Sequence, residues 1–122
     1  MIEKRPWKFC VIGNIKKQHT DESGNTFYGT AAFTGGTKVY LCGKCWNETY
    51  PTIGVIGLNR RGRHLQFHSV PVTLIENVRV HRVYNPAVLK LMDDWEYCED
   101  WWHDTPQDRQ EVLAFVQKWN AK

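Results

Sequence analysis

The hydrophobic period of this chain changes once, at Asn85-Pro86, and that change limits what it can fold into. Before it, apolar residues alternate in short runs separated by turn formers, the pattern of strands. After it they recur every three to four residues, the pattern of helices. Asn85 is a good N-cap and Pro86 suits a first helical position. Val88, Leu91 or Met92, and Trp95 then follow at helical spacing. Thr105-Pro106-Gln107-Asp108 repeats the start signal, with Asp108 three residues after the cap as in a capping box. Val112, Phe115, Val116 and Trp119 then make one apolar stripe, which predicts a terminal helix packed on the rest.

The first two thirds divide into strands. Trp7 to Ile12 alternates Trp7, Phe9 and Val11 against Lys8, Cys10 and Ile12, predicting a strand with one well-buried face. Residues 18 to 25 are polar turn formers and read as an exposed loop. Thr26 to Phe33 and Thr37 to Cys42 read as a hairpin around Gly35-Gly36, and Thr52 to Leu58 and His64 to Val70 as a second one around residues 59 to 63. Ile75 to Tyr84 supplies a further strand, with Val78 and Val80 on one side. The expected fold class is α+β, one domain over residues 1–122. A small SH3-like β-barrel of five or six antiparallel strands spans 6–84, followed by two C-terminal α-helices within 86–120. Closure would remove the exposed strand edges of so small a sheet.

With 122 residues, one core suffices. No apolar run approaches the ~18 residues of a membrane span, and the first residues lack a signal-peptide core, so a cytoplasmic chain without membrane contact is expected. Cys10, Cys42, Cys45 and Cys98 are then reduced thiols. The net charge of +3 hides an asymmetry: residues 1 to 90 carry net +8 and residues 91 to 122 net −5.

Motifs for catalysis are missing. Cys42-Gly43-Lys44-Cys45 has zinc-knuckle spacing, but no second pair follows, so Cys42 and Cys45 are half a metal site and no metal or cofactor is expected. His64 and His68 share a strand face, and Arg79 and His81 are candidate neighbours. An acid–base set of Cys10, His68 and Glu76 has no support in local spacing. No nucleophile elbow, phosphate loop or dinucleotide fingerprint occurs, which points away from an enzyme.

Two segments remain as binding surfaces. Arg60, Arg61 and Arg63 put positive charge on a hairpin tip, and Lys16 and Lys17 could join them to grip the phosphates of RNA or DNA. The other segment, Asp93 to Asp104, interleaves carboxylates with rings. Trp95, Glu96, Glu99, Asp100, Trp101, Trp102 and Asp104 are its candidate contacts to a protein partner, the rings as anchors and the acids as steering charges. A competing role for Trp95 and one of Trp101 or Trp102 is to plug the end of the barrel.

In size and lack of catalytic motifs the chain resembles the bacterial immunity proteins that neutralise toxins of contact-dependent growth inhibition and related polymorphic systems. Gly36-Thr37-Lys38-Val39-Tyr40 through Val55-Ile56-Gly57 to Arg79-Val80-His81-Arg82-Val83-Tyr84-Asn85-Pro86 looks like a small SH3-like barrel running into a helix. The resemblance implies an inhibitor that binds a cognate toxin domain and covers its active site or substrate surface, often that of a nuclease with a basic groove. The acidic, aromatic segment suits such a target, whereas the net positive charge departs from the acidic balance of a nuclease inhibitor.

Overall fold

The computed structural model describes residues 6–43, 51–61, 64–94, 102 and 104–120. Five strands, β1 (Lys8–Ile15), β4 (Lys38–Gly43), β5 (Thr52–Leu58), β6 (Leu65–Pro71) and β7 (Ile75–Val83), form one antiparallel sheet in the order β6-β5-β4-β1-β7. The short strands β2 (His19–Thr20) and β3 (Thr26–Phe27) pair separately as a hairpin. Two helices follow, α1 (Pro86–Asp94) and α2 (Pro106–Asn120). The α+β class, the hairpin of β5 and β6, the last strand and both helix starts agree with the sequence pattern.

The Gly35-Gly36 hairpin does not form. Residues 28 to 37 are a loop, and the pairing that exists there closes over the segment expected to be unpaired. The cause is local chemistry. Asp21 Oδ1 accepts from the backbone N–H of Ser23 and of Asn25, each at 2.9 Å, which bends the chain into the β2–β3 turn. Thr30 Oγ1 accepts from Phe33 N at 2.9 Å, and Gly29 and Gly36 sit at φ 79° and 89°, so the chain turns twice where a strand was expected. Those turns swing Phe33 inward until it is fully buried.

Strands β6 and β7 lie at opposite edges of the sheet yet are joined by the three-residue 3₁₀ turn Val72–Leu74. Laid flat, five strands at ~4.8 Å spacing would separate the edges by about 19 Å. A three-residue link spans at most about 14 Å even when extended, and less as a 3₁₀ turn. The sheet therefore curls until the end of β6 approaches the start of β7. Val72 N donates to Pro51 O at 2.9 Å and Lys16 N to Leu74 O at 2.8 Å, fastening the link to both neighbours. Among the described residues no ladder joins β6 to β7, so the sheet has two edges and barrel closure is not seen.

Both faces of the three inner strands β5, β4 and β1 are buried, where one well-buried face was expected of β1. Val11, Val39, Leu41, Ile53 and Val55 point to one side, against Phe33, Trp102 and Val112 and Val116 of α2. Cys10, Ile12, Tyr40, Cys42 and Ile56 point to the other, against Val88 and Met92 of α1. This explains the near-continuous apolar runs of β1, β4 and β5, since strands covered on both faces lose their polar alternation.

Candidate functional site

A groove of about 540 Å³ lies between the β2–β3 hairpin and β6. That volume lies within the range of sites that hold a ligand or a partner's side chains. His68, Ser69, Val70 and Pro71 all line it. Successive strand residues point to opposite faces, so a wall made of four in a row is the edge of β6. Among the described residues β6 pairs only with β5, so it is an edge of the described sheet. His19 and Phe27 form the facing wall.

The floor and rim are held by specific contacts. Phe33 meets the His68 ring edge-on with centroids 5.4 Å apart. His68 Nε2 donates to Gln66 Oε1 at 3.1 Å, Asn59 Nδ2 donates to the same oxygen at 2.5 Å, and Gln66 Nε2 donates to His64 Nε2 at 2.7 Å. This chain orients both imidazoles and leaves neither placed on a nucleophile. Phe27, which lines the groove, is 47% exposed; its neighbour Tyr28, outside the lining, is 70% exposed, and Arg60 donates its guanidinium to Phe33 O at 3.0 Å and Tyr28 O at 3.4 Å. Exposed aromatics beside an arginine are the composition of interface hot spots.

Among the described residues, none of the binding-surface candidates read from sequence lines this groove. Trp95, Glu96, Glu99, Asp100, Trp101, Arg63 and Cys45 lie outside the described residues. Trp102 is 8% exposed, in the core against Phe115, with its backbone N–H donated to Cys42 O at 2.7 Å. Its ring is packed into the core, which removes a large apolar area from water. Asp104 is ion-paired with Arg109, whose guanidinium lies 4.7 Å over the Phe9 ring. Arg60 spends its Nη2 donors on the loop carbonyls just named, and Arg61 is exposed. Lys17 packs along Gly35 and Gly36, and Lys16 lines a different groove with Glu76, Asn77 and Val116. His64 and His68 are separated by three strands from Arg79 and His81, and Cys10, His68 and Glu76 are not brought together.

Cys42 is buried and donates its thiol to Gly54 O at 3.3 Å. Burial, and then the neighbouring Cys10, hold its pKa well above the ordinary 9.0. Burial, and then Asp104, push the Cys10 thiol from 9.0 to about 12. Metal ligation needs a thiolate, which this setting disfavours. Among the described residues no three His, Cys, Asp or Glu side chains converge as metal ligands.

Sequence reasoning missed the groove because it arises from two segments 40 residues apart whose contact depends on the curl of the sheet. The one local signal was Phe27-Tyr28, two rings beside a polar stretch. The chain matches no protein family, no curated protein and no solved structure. Among the described residues no helix is long and apolar enough to cross a membrane.

Proposed function

We propose that this chain is a partner-binding domain of the immunity type, which neutralises a cognate bacterial toxin domain by docking it along the groove between the β2–β3 hairpin and β6. The observation that carries this reading is the strand edge itself. An unpaired edge beside an apolar groove favours an extended segment of another protein, whose backbone can continue the ladder while its side chains fill the groove. Phe27 supplies an exposed ring at the groove, and the Cys10 and Cys42 thiols and the His68 ring are engaged in internal contacts, which fits binding better than turnover. An SH3-like barrel remains the fold description we favour. The order β6-β5-β4-β1-β7, the long excursion between β1 and β4, and the 3₁₀ link between the edge strands support it.

The test uses a purified toxin domain encoded beside this gene. Wild-type protein should inhibit it stoichiometrically. Phe27→Ala and Ala31→Arg should each weaken binding about tenfold or more while unfolding at the wild-type temperature, because both sites are solvent-exposed. Equal inhibition by wild type and both variants would exclude the groove, and no binding by wild type would exclude the inhibitor reading.

A further inference from the structure

The groove between the β2–β3 hairpin and β6 has a charge pattern that narrows what can occupy it. No Lys, Arg or Glu lines it. Its one acid, Asp21, is already engaged: Oδ1 accepts from Ser23 N and Asn25 N at 2.9 Å each, and Oδ2 from Asn25 Nδ2 at 3.4 Å. His19 and His68, which also line it, are neutral or cationic but never anionic. An arginine borders this uncharged space. Arg60, in the turn between β5 and β6, donates its backbone N–H to Ala32 O at 2.8 Å, and its Nη2 lies 3.0 Å from where a Cβ on Gly29 would stand. Ala32 and Gly29 both line the groove. The side-chain bonds of Arg60 to Phe33 O and Tyr28 O both leave from Nη2. Among the described residues its Nε and Nη1 have no acceptor, and the ion pairs present join Lys8 to Asp93 and Arg109 to Asp104. Arg61, the next residue, is exposed.

We infer that the occupant of this groove is an acidic, extended segment of another protein, whose apolar side chains enter the groove and whose carboxylate pairs with Arg60. This rests on the docking reading above and adds the chemistry of the partner. A guanidinium offers a planar fork of donors that a carboxylate matches. A basic segment would bring like charge to Arg60 and Arg61 and meet no unengaged carboxylate in the lining. Nucleic acid fits less well, because it needs a run of cations along its backbone. Here one arginine is fixed against the groove, and Val70, Pro71 and Leu74 give its walls an apolar character. An acidic partner segment also suits the net charge of +3, which would be repelled by the basic groove of a nuclease. The toxin surface engaged is then an acidic one, outside any nucleic-acid cleft.

The test uses the toxin domain and two labelled peptides of about twelve residues, one alternating valine with glutamate and the other valine with lysine. In fluorescence anisotropy at low salt, wild type should bind the glutamate peptide at least about tenfold more tightly than the lysine peptide. Arg60→Gln should weaken that binding about fivefold, and should slow association with the toxin domain by about the same factor. Both losses should shrink as salt is raised to about 1 M, where charges more than ~3 Å apart are screened. A loss caused only by loosening of the loop at Tyr28 and Phe33 would persist at every salt concentration. Arg61→Glu should act in the same direction, and it decides the matter if thermal unfolding shows Arg60→Gln to be misfolded. Lys90→Gln, an exposed position on α1 across the sheet, should change binding by less than about twofold. If wild type does not bind the toxin domain, the inhibitor reading fails and the peptides decide this inference. It is overturned by lack of binding to the glutamate peptide, by equal or tighter binding of the lysine peptide, or by an equal loss in Lys90→Gln. Tighter binding of a labelled oligouridine than of the glutamate peptide would also overturn it, marking nucleic acid as the ligand.

Discussion

Asn77 sits inside β7 with φ 57°, a left-handed backbone that costs most residues about 1–2 kcal/mol. It marks the bulge where the register of β1 against β7 shifts between Ile12 and Asn14. Asn14 ties the bulge down: its Oδ1 accepts from Arg79 at 3.1 Å and from Asn77 Nδ2 at 3.3 Å, while its own Nδ2 donates to Gly36 O at 3.1 Å. Asn77→Val should therefore lower stability in urea by about 2 kcal/mol, and Asn77→Gly by less than about 1 kcal/mol. The buried thiols make a pH-dependent contribution of fixed sign. Cys10 keeps its proton in the folded chain to about pH 12, whereas the unfolded chain releases it near 9.0. The resulting stability is complete below pH 9 and is lost as pH rises toward 12. Cys10→Ala should flatten that alkaline loss in thermal melts; an unchanged alkaline branch would place the cause elsewhere.

Elements defined by nearest neighbours are legible in the sequence, and those defined by distant partners are not. Asn85 Oδ1 accepts from Ala87 N at 2.9 Å and Thr105 Oγ1 from Asp108 N at 3.1 Å, as their cap spacing predicts. Asn85→Ala and Thr105→Ala should each cost about 1 kcal/mol, measured by denaturant unfolding. The hairpin of β5 and β6 is equally readable, because alternation and turn residues lie within one stretch. Residues 26 to 37 mislead for the opposite reason. Thr26 to Phe33 has strand-like content, but Thr30 and Gly29 turn it, and Phe33 is drawn in by a core it meets only after the sheet has curled. Trp102 reads from the sequence both as an inward plug and as a partner contact, since nothing in its acidic surroundings decides between the two; its burial in the core is set by distant partners.

At the scale of the whole molecule, one sheet carries helices on both faces and different chemistry at its two edges. The β6 edge borders an apolar groove with the exposed Phe27 ring, and at the β7 edge the Arg82 guanidinium lies over the Trp7 ring. The charge asymmetry of the sequence places the basic character in the first 90 residues but does not assign it to an edge or a face, because pairing with β1 sets Lys38 opposite Asn14 and Arg82 opposite Phe9, at different heights of the sheet. Which edge receives the protein partner can be read directly from amide hydrogen exchange, with and without the toxin domain. The account predicts slowed exchange at residues 66–70 and 27–32, where a strand added to β6 would protect the groove. Protection confined to β7, α1 or α2, with residues 66–70 unchanged, would contradict it.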